Sequence, residues 1–422
     1  MTVDDAATIR RDQSALRDIA AIRAQFPGLN GPDILLDNAG GSQVPEVVAN
    51  RIRDYMCASY VQLGADYATS RTCAVIVSKA HTFIEQCFGG VGAGHAVLGA
   101  SSSALLNTLA NAYLAAEPSD RNEIIVSEAN HESNIGPWLK LERFGFKVRW
   151  WRVDPDRETT PIEQLESMLS DRTLLVAFPH VTNIFGAMED ADRICELARA
   201  AGARSVVDSV AFAPHRPLDV VALGADWCVY STYKVFGPHM GALFGTHEAF
   251  AEVIGPNHAF IDRSEIPRKF ELGGVNHEGC AGLLGLWDYA AWLVGEDPSR
   301  EPAREALVRA FDTMDALERP LQKHLIDWLI ERDDLRIIGP ATSGPERAPT
   351  VSFIAPGRSS REIAQRLNAE GLGVRHGHFY SKRLVEALGL DPDDGVIRAS
   401  LAHYNTIDEI DRLTESLRSL LG

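Results

Sequence analysis

Cysteine is scarce in this sequence. Six residues (Cys57, Cys73, Cys87, Cys195, Cys228 and Cys280) occur among 422, with no Cys-x-x-Cys pair and none after position 280. That scarcity excludes a disulfide framework and a thiolate metal cluster, predicts small buried hydrophobes, and fits a reducing cytoplasm. Basic charge is also in deficit, with 41 Lys and Arg against 58 Asp and Glu for a net charge of −17. The acidity is spread along the chain, which argues against nucleic-acid or anionic-membrane partners. No apolar run approaches the roughly 18 residues needed to span a bilayer. The N-terminal stretch MTVDDAATIRRDQSALRDIA lacks the apolar core of a signal peptide. Short-period repeats and low-complexity tracts are absent too.

What remains is an ordinary globular composition, with 45% hydrophobic and 23% charged residues. At roughly 100–200 residues per domain, the length suggests two or three domains and the size of an enzyme. The middle of the chain alternates short apolar runs with helical patterns. Predicted strands are Glu123–Ser127, Lys147–Val153, Thr173–Phe178, Ser205–Asp208, Trp227–Tyr230 and Met240–Phe244. Between them lie predicted helices over Ala104–Ala116, Ser133–Phe144, Pro161–Leu169 and Asp190–Ala201. Apolar runs of this length alternating with helices predict a three-layer α/β fold with a mainly parallel central sheet. From about residue 295 the pattern changes to a long helix, Pro302–Glu331, followed by mixed strands and helices, which reads as a smaller α+β domain. The expected division is an N-terminal segment over 1–60 that packs on the small domain, a large domain over 60–295, and a small domain over 296–422.

Functional groups in an open α/β sheet gather beyond the carboxyl ends of its strands. Ser101, Ser102 and Ser103 stand before a predicted helix, where hydroxyls and free N–H groups suit a phosphate or serve as a plain N-cap. Asp208 ends a buried strand and either caps a turn or pairs with a protonated heterocyclic nitrogen. Lys234, in Ser231-Thr232-Tyr233-Lys234, is either a surface cation or a lysine desolvated enough to attack a carbonyl carbon. His131 is either structural or placed to stack on a planar cofactor. Taken in order, these four make the set required to hold pyridoxal 5′-phosphate (PLP).

The sequence resembles fold-type I PLP enzymes of the class V aminotransferase and cysteine desulfurase group. The resemblance is carried by Leu36-Asp37-Asn38-Ala39-Gly40-Gly41, Ser101–Ser103, Asn130-His131-Glu132-Ser133-Asn134 and His180-Val181-Thr182-Asn183. It continues through Val207-Asp208-Ser209, Ser231–Lys234, Glu271-Leu272-Gly273 and Arg398-Ala399-Ser400. It implies that Lys234 forms the Schiff base, Asp208 pairs with the pyridine nitrogen, His131 stacks on the ring and Asn183 meets the phenolic oxygen. Ser101, Ser102, Ser103, Ser231 and Tyr233 would surround the phosphate. Gly274 and Asn276 would reach the phosphate of the neighbouring subunit in a homodimer with shared sites. Arg398 would bind the substrate α-carboxylate, near Asn38, Ala39 and His378. Arg71 and Tyr67 are further substrate-site candidates, with a surface ion pair as the other reading of Arg71. No metal is implied.

Three departures from the family pattern bear on the reaction. Tyr380 stands where desulfurases present the cysteine that accepts sulfur. Ala211 replaces a cofactor-contacting Gln or His, and Gly273-Gly274 replaces the usual Gly-Thr at the phosphate turn. A phenol forms no persulfide, so the resemblance narrows to members lacking that cysteine, such as C–S lyases and isopenicillin N epimerase-like enzymes. The expected reaction is β-elimination from a cysteine S-conjugate in secondary or sulfur metabolism, with Lys234, His131 and Tyr380 as catalytic residues. Decarboxylation-coupled deamination, transamination and epimerisation are the alternatives, and a catalytically silent PLP-fold binding protein is the alternative outside enzymes.

Overall fold

In the computed structural model, which describes residues 17–117 and 119–422, seven strands form one sheet in the order β2-β8-β7-β6-β5-β3-β4. They are β2 (Gly94–Gly99), β3 (Glu123–Ser127), β4 (Lys147–Trp151), β5 (Thr173–Pro179), β6 (Arg204–Asp208), β7 (Trp227–Ser231) and β8 (Gly241–Thr246). β3 to β7 pair in parallel, and β8 runs antiparallel to both β2 and β7. The sheet is therefore mainly parallel, as its buried apolar strands predict. Successive side chains of a strand point to opposite faces. Val176, Phe178 and Val207 join one apolar core, whereas Leu175, Ala177 and Val206 join the other.

Two long helices escape the sequence pattern, Ala68–Phe88 and His277–Val294, as does β2. Helix His277–Val294 carries glycines at 279, 282 and 285, and these explain its packing. A Cβ on Gly285 would lie 2.8 Å from Val48 Cα, and one on Gly282 would lie 2.8 Å from Ile52 Cγ1. The missing side chains let helix Glu46–Ala58 approach this closely. The predicted helix Ser133–Phe144 is instead three short pieces, Glu132–Asn134, Gly136–Leu139 and Lys140–Phe144. Gly136-Pro137 cuts the run, because proline supplies no N–H to the preceding turn and fits only a fresh helix start.

A second sheet has the order β12-β13-β10-β9, from β9 (Arg336–Ile338), β10 (Thr350–Ile354), β12 (Arg375–Gly377) and β13 (Val396–Ser400). All its pairings are antiparallel. Helix Arg304–Ile330 links the two cores, with Leu307 and Met314 in the large one and Leu325 and Leu329 in the small one. β1 (Ile34–Leu35) pairs in parallel with β11 (Leu372–Gly373), and Asp37 bridges to Ser400. The segment that follows β1 thus runs from the small sheet towards the carboxyl ends of the large one. Of the N-terminal segment, residues 1–16 lie outside the described residues. Among the described residues, no helix is long and apolar enough to cross a membrane.

Candidate active site

The carboxyl ends of β3, β5, β6 and β7 and the N-terminus of helix Ser102–Leu114 converge on one cleft of about 520 Å³, with a smaller inner lobe beneath it. His131, Ser103, Ser133, Asn183, Tyr233 and Lys234 line both parts. The volume falls within the range of about 300–1,000 Å³ usual for small-molecule sites.

Lys234 ends a single tight turn, Thr232–Lys234, directly after β7. Thr232 holds the turn shut by donating from Oγ1 to Pro238 O at 2.6 Å and from its backbone N to Met240 O at 3.0 Å. The next turn brings Phe236 to φ +60, a conformation that non-glycine residues adopt only when their surroundings enforce it. Desolvation at the cleft floor, helped by the Arg398 charge, lowers the Lys234 pKa to about 8, while Asp208 and Asp37 oppose the shift. Below it, Asp208 is buried and accepts from Val210 N at 3.0 Å. Burial raises its pKa to about 6 against the pull of that hydrogen bond and of Lys234.

His131 Nδ1 accepts from Ser133 N at 3.1 Å and lies 2.8 Å from Ser133 Oγ. An imidazole nitrogen that accepts from a backbone N–H carries no proton, so the hydrogen-bond network assigns the proton to Nε2. Burial, with Lys234 and Arg398, depresses the pKa of His131 to about 3, and the ring is neutral. At the helix N-terminus, Ser101 caps Ala104 N at 3.1 Å, leaving Ser102 and Ser103 in the first turn. Ser102 Oγ lies 2.8 Å from Ser231 Oγ, tying the helix start to the lysine turn. A Cβ on Gly241 would lie 2.4 Å from Ser101 C and Ser102 N, so only glycine lets β8 pass beneath this turn. Ala211 also lines the inner lobe.

Asn183 donates from Nδ2 to Phe379 O at 2.9 Å and accepts from Ser381 Oγ at 2.6 Å. It thereby holds the loop that carries Tyr380. Glu132 N donates to Tyr380 O at 2.8 Å, and Tyr380 N donates to His378 Nδ1 at 3.0 Å. Phe379 and Tyr380 both have positive φ, +48 and +61, so the loop is held in a costly shape from both sides. Tyr380 is 64% exposed, and its ring centroid is 5.4 Å from that of His131.

Arg398 is buried on β13 and donates from Nη2 to Asp37 Oδ1 at 3.0 Å and from Nη1 to Asn183 O at 3.3 Å. Its Nε has no partner, and its guanidinium carbon lies 3.8 Å from the centre of the Phe379 ring. Burial lowers its pKa, opposed mainly by Asp37. Ala39 lines the cleft, but Asn38 does not. The Asn38 amide donates to Ser400 O at 2.8 Å and to Asn405 Oδ1 at 3.0 Å, and accepts from Tyr404 OH at 2.5 Å, so it fastens the chain. Arg71 is exposed on helix Ala68–Phe88 and lies outside the cleft lining, as do the exposed Gly274 and Asn276. Asn276 caps its own helix by accepting from Gly279 N at 2.6 Å. Asp37, Ser133, Arg375 and Phe379 join the site without having been singled out. Each sits in a segment that carried the resemblance or the loop departure, but only contact gives it a role.

The donor set fits PLP. A buried carboxylate and a neutral imidazole frame the lysine, and a hydroxyl-rich helix start lies alongside. Among the described residues, no group of His, Cys, Asp and Glu could hold a metal.

Residues 34–413 match the family described as Aminotransferase class-V. The chain is 37% identical over 413 residues to the aminotransferase-like protein FGM3 of Gibberella zeae, covering 96% of this chain and 98% of that protein. It is 31% identical over 439 residues to a probable cysteine desulfurase of Mycolicibacterium paratuberculosis, covering 100% of this chain and 61% of that protein. The fold matches a cysteine desulfurase from Thermococcus onnurineus with a TM-score of 0.83 at 23% identity, over 96% of this chain and 98% of that one. The chain is a PLP-dependent enzyme belonging to the class V aminotransferase family, with the α/β fold of the cysteine desulfurases.

Proposed function

We propose that this enzyme cleaves the C–S bond of a cysteine S-conjugate by β-elimination, without holding sulfur on the protein. The observation that carries the reading is Tyr380. The loop residue facing His131 is a phenol, and no cysteine lines the cleft among the described residues.

PLP, when bound, supplies a ring that accepts the electron pair of a labilised Cα bond. Asp208 would keep a proton on the ring nitrogen, and His131 would stack on the ring. Ser102, Ser103, Ser231 and the N–H groups of the helix start would hold the phosphate, where the helix dipole favours an anion. Arg398 would fix the substrate α-carboxylate through its planar donors. Lys234, whose pKa burial lowers to about 8, would take the Cα proton. Tyr380 would give its phenolic proton to the departing thiolate, and the remaining three-carbon fragment hydrolyses to pyruvate and ammonia. Gly274 and Asn276 would complete the site from the other subunit of a homodimer.

Incubation of the PLP-loaded enzyme with an S-alkyl cysteine tests this reading. Thiol, pyruvate and ammonia in equal amounts are the expected products. Release of carbon dioxide, or conversion of the cofactor to its amine form, overturns it. Borohydride should fix the cofactor to Lys234, and its failure to do so would remove the covalent role of that residue.

A further inference from the structure

β12 and β13 pair antiparallel with Arg375 directly opposite Arg398. Side chains opposite one another in such a ladder share a face, with Cβ atoms about 4.5–5.5 Å apart, and like charges placed there repel. This pair shares two partners. Asp37 Oδ1 takes Arg398 Nη2 at 3.0 Å, and Asp37 Oδ2 lies 3.5 Å from Arg375 Nη1. The Phe379 ring lies 3.8 Å from the guanidinium carbon of Arg398 and 5.7 Å from that of Arg375. One carboxylate thus balances two guanidiniums, and one positive charge remains over at the cleft wall. Arg398 is 3% exposed, whereas the Arg375 side chain is 56% exposed and lines the cleft. Lys140 lines the same cleft, against Glu132 alone among its acidic groups. A local cationic surplus on a chain of net charge −17 calls for an anionic ligand.

We propose that Arg375 is a specificity residue that binds a second carboxylate, on the side chain of the substrate. This rests on the proposed function, in which Arg398 takes the α-carboxylate. The close spacing of the two arginines requires the second acid group to lie a few bonds from Cα, as in a short S-carboxyalkyl cysteine. Arg375 suits the task because strand β12 and the Phe379 ring orient its fork while leaving it open to the cleft. Asp37 stays between the two cations and keeps them from repelling each other when no substrate is bound.

The test uses an isosteric pair, S-carboxymethyl-L-cysteine and S-carbamoylmethyl-L-cysteine, which differ in charge and not in size. Binding to the PLP-loaded enzyme is read by calorimetry, which needs no turnover, and products are assayed separately. The acid should bind about tenfold or more tightly than the amide, as a charge-assisted bond over a neutral one implies. Arg375→Gln should bring that ratio close to one, and Arg375→Lys should restore part of it. A wild-type ratio near one, absence of binding by both ligands, or an unaltered ratio in Arg375→Gln overturns the proposal. Acid preference without thiol release leaves the assignment of Arg375 standing and removes the elimination reading. Thiol release from both ligands with equal affinity does the reverse.

Discussion

Ser42 fastens the turn that carries Lys234. Its Oγ accepts from Phe236 N at 2.8 Å, and its backbone N donates to Tyr233 O at 3.2 Å. A residue from the N-terminal segment therefore holds the strained Phe236 on the far side of the catalytic lysine. Ser42→Ala leaves the buried Phe236 N–H without its acceptor, which costs about 1–3 kcal/mol. Chemical unfolding should show that loss, together with weaker PLP retention on dialysis.

Lys234→Ala removes both the covalent attachment and the base. Turnover should fall by at least about 10²–10⁴-fold, the usual contribution of a positioned proton-transfer group. PLP should still bind, held by Asp208 and the serine turn, but borohydride should no longer fix it. Turnover at the wild-type rate would assign the base elsewhere.

Asp208 gives a pH signature in the cofactor-free protein. Burial raises its pKa from 3.8 in the unfolded chain to about 6 in the folded one. A carboxyl with a raised folded pKa contributes no penalty well below pH 3.8, where both states are protonated. As pH rises towards 6 the unfolded chain releases its proton first, and the folded state loses stability, by about 3 kcal/mol in total. Asp208→Asn should remove this slope, so the variant gains on the wild type between pH 4 and 6 and keeps the gain above it. The same change should abolish turnover, since a neutral amide holds no proton on the ring nitrogen. Parallel pH–stability curves for the two proteins would contradict the assignment.

Gly241→Ala drives a Cβ to 2.4 Å from Ser101 C and Ser102 N, against backbone that has no flexible end to yield. The strained packing should cost about 1–3 kcal/mol. The displaced helix start should weaken phosphate binding, read as a higher PLP concentration for half-occupancy. Unchanged PLP affinity would show that this turn does not hold the phosphate.

Tyr380→Phe leaves the loop intact, since the loop is held through the Phe379 and Tyr380 carbonyls and the hydroxyl is not needed for that. The melting temperature should be unaltered. The elimination rate should fall by about 10²-fold or more for a poor leaving thiolate, and less for an acidic thiol that needs no proton. Equal rates in both proteins would remove the catalytic role of the phenol.

Much of the site was legible because its chemistry is local in sequence. A lysine just past a buried strand, serines at a helix start and an acid at a strand end each announce themselves through their neighbours. Asn38 and Asn183 were legible as members of the site segments but not in their contacts. The first clamps Ser400, Asn405 and Tyr404, and the second reaches across to Ser381. Arg71 stands in a polar segment that says nothing about distance, and folding leaves it exposed outside the cleft.

By itself the sequence determined the layered α/β fold, the strand ends that carry Asp208 and Lys234, and the absence of cysteine at position 380. Those follow from short-range periodicity and residue type, which act within a strand or a helix turn. Only the tertiary structure decided that β8 runs antiparallel beside β7, that Gly241 must pass beneath the serine turn, and that Arg375 stands opposite Arg398 with Asp37 between them. These depend on register between segments far apart in the chain. Register is set by the packing of whole faces and by charges that meet only after folding.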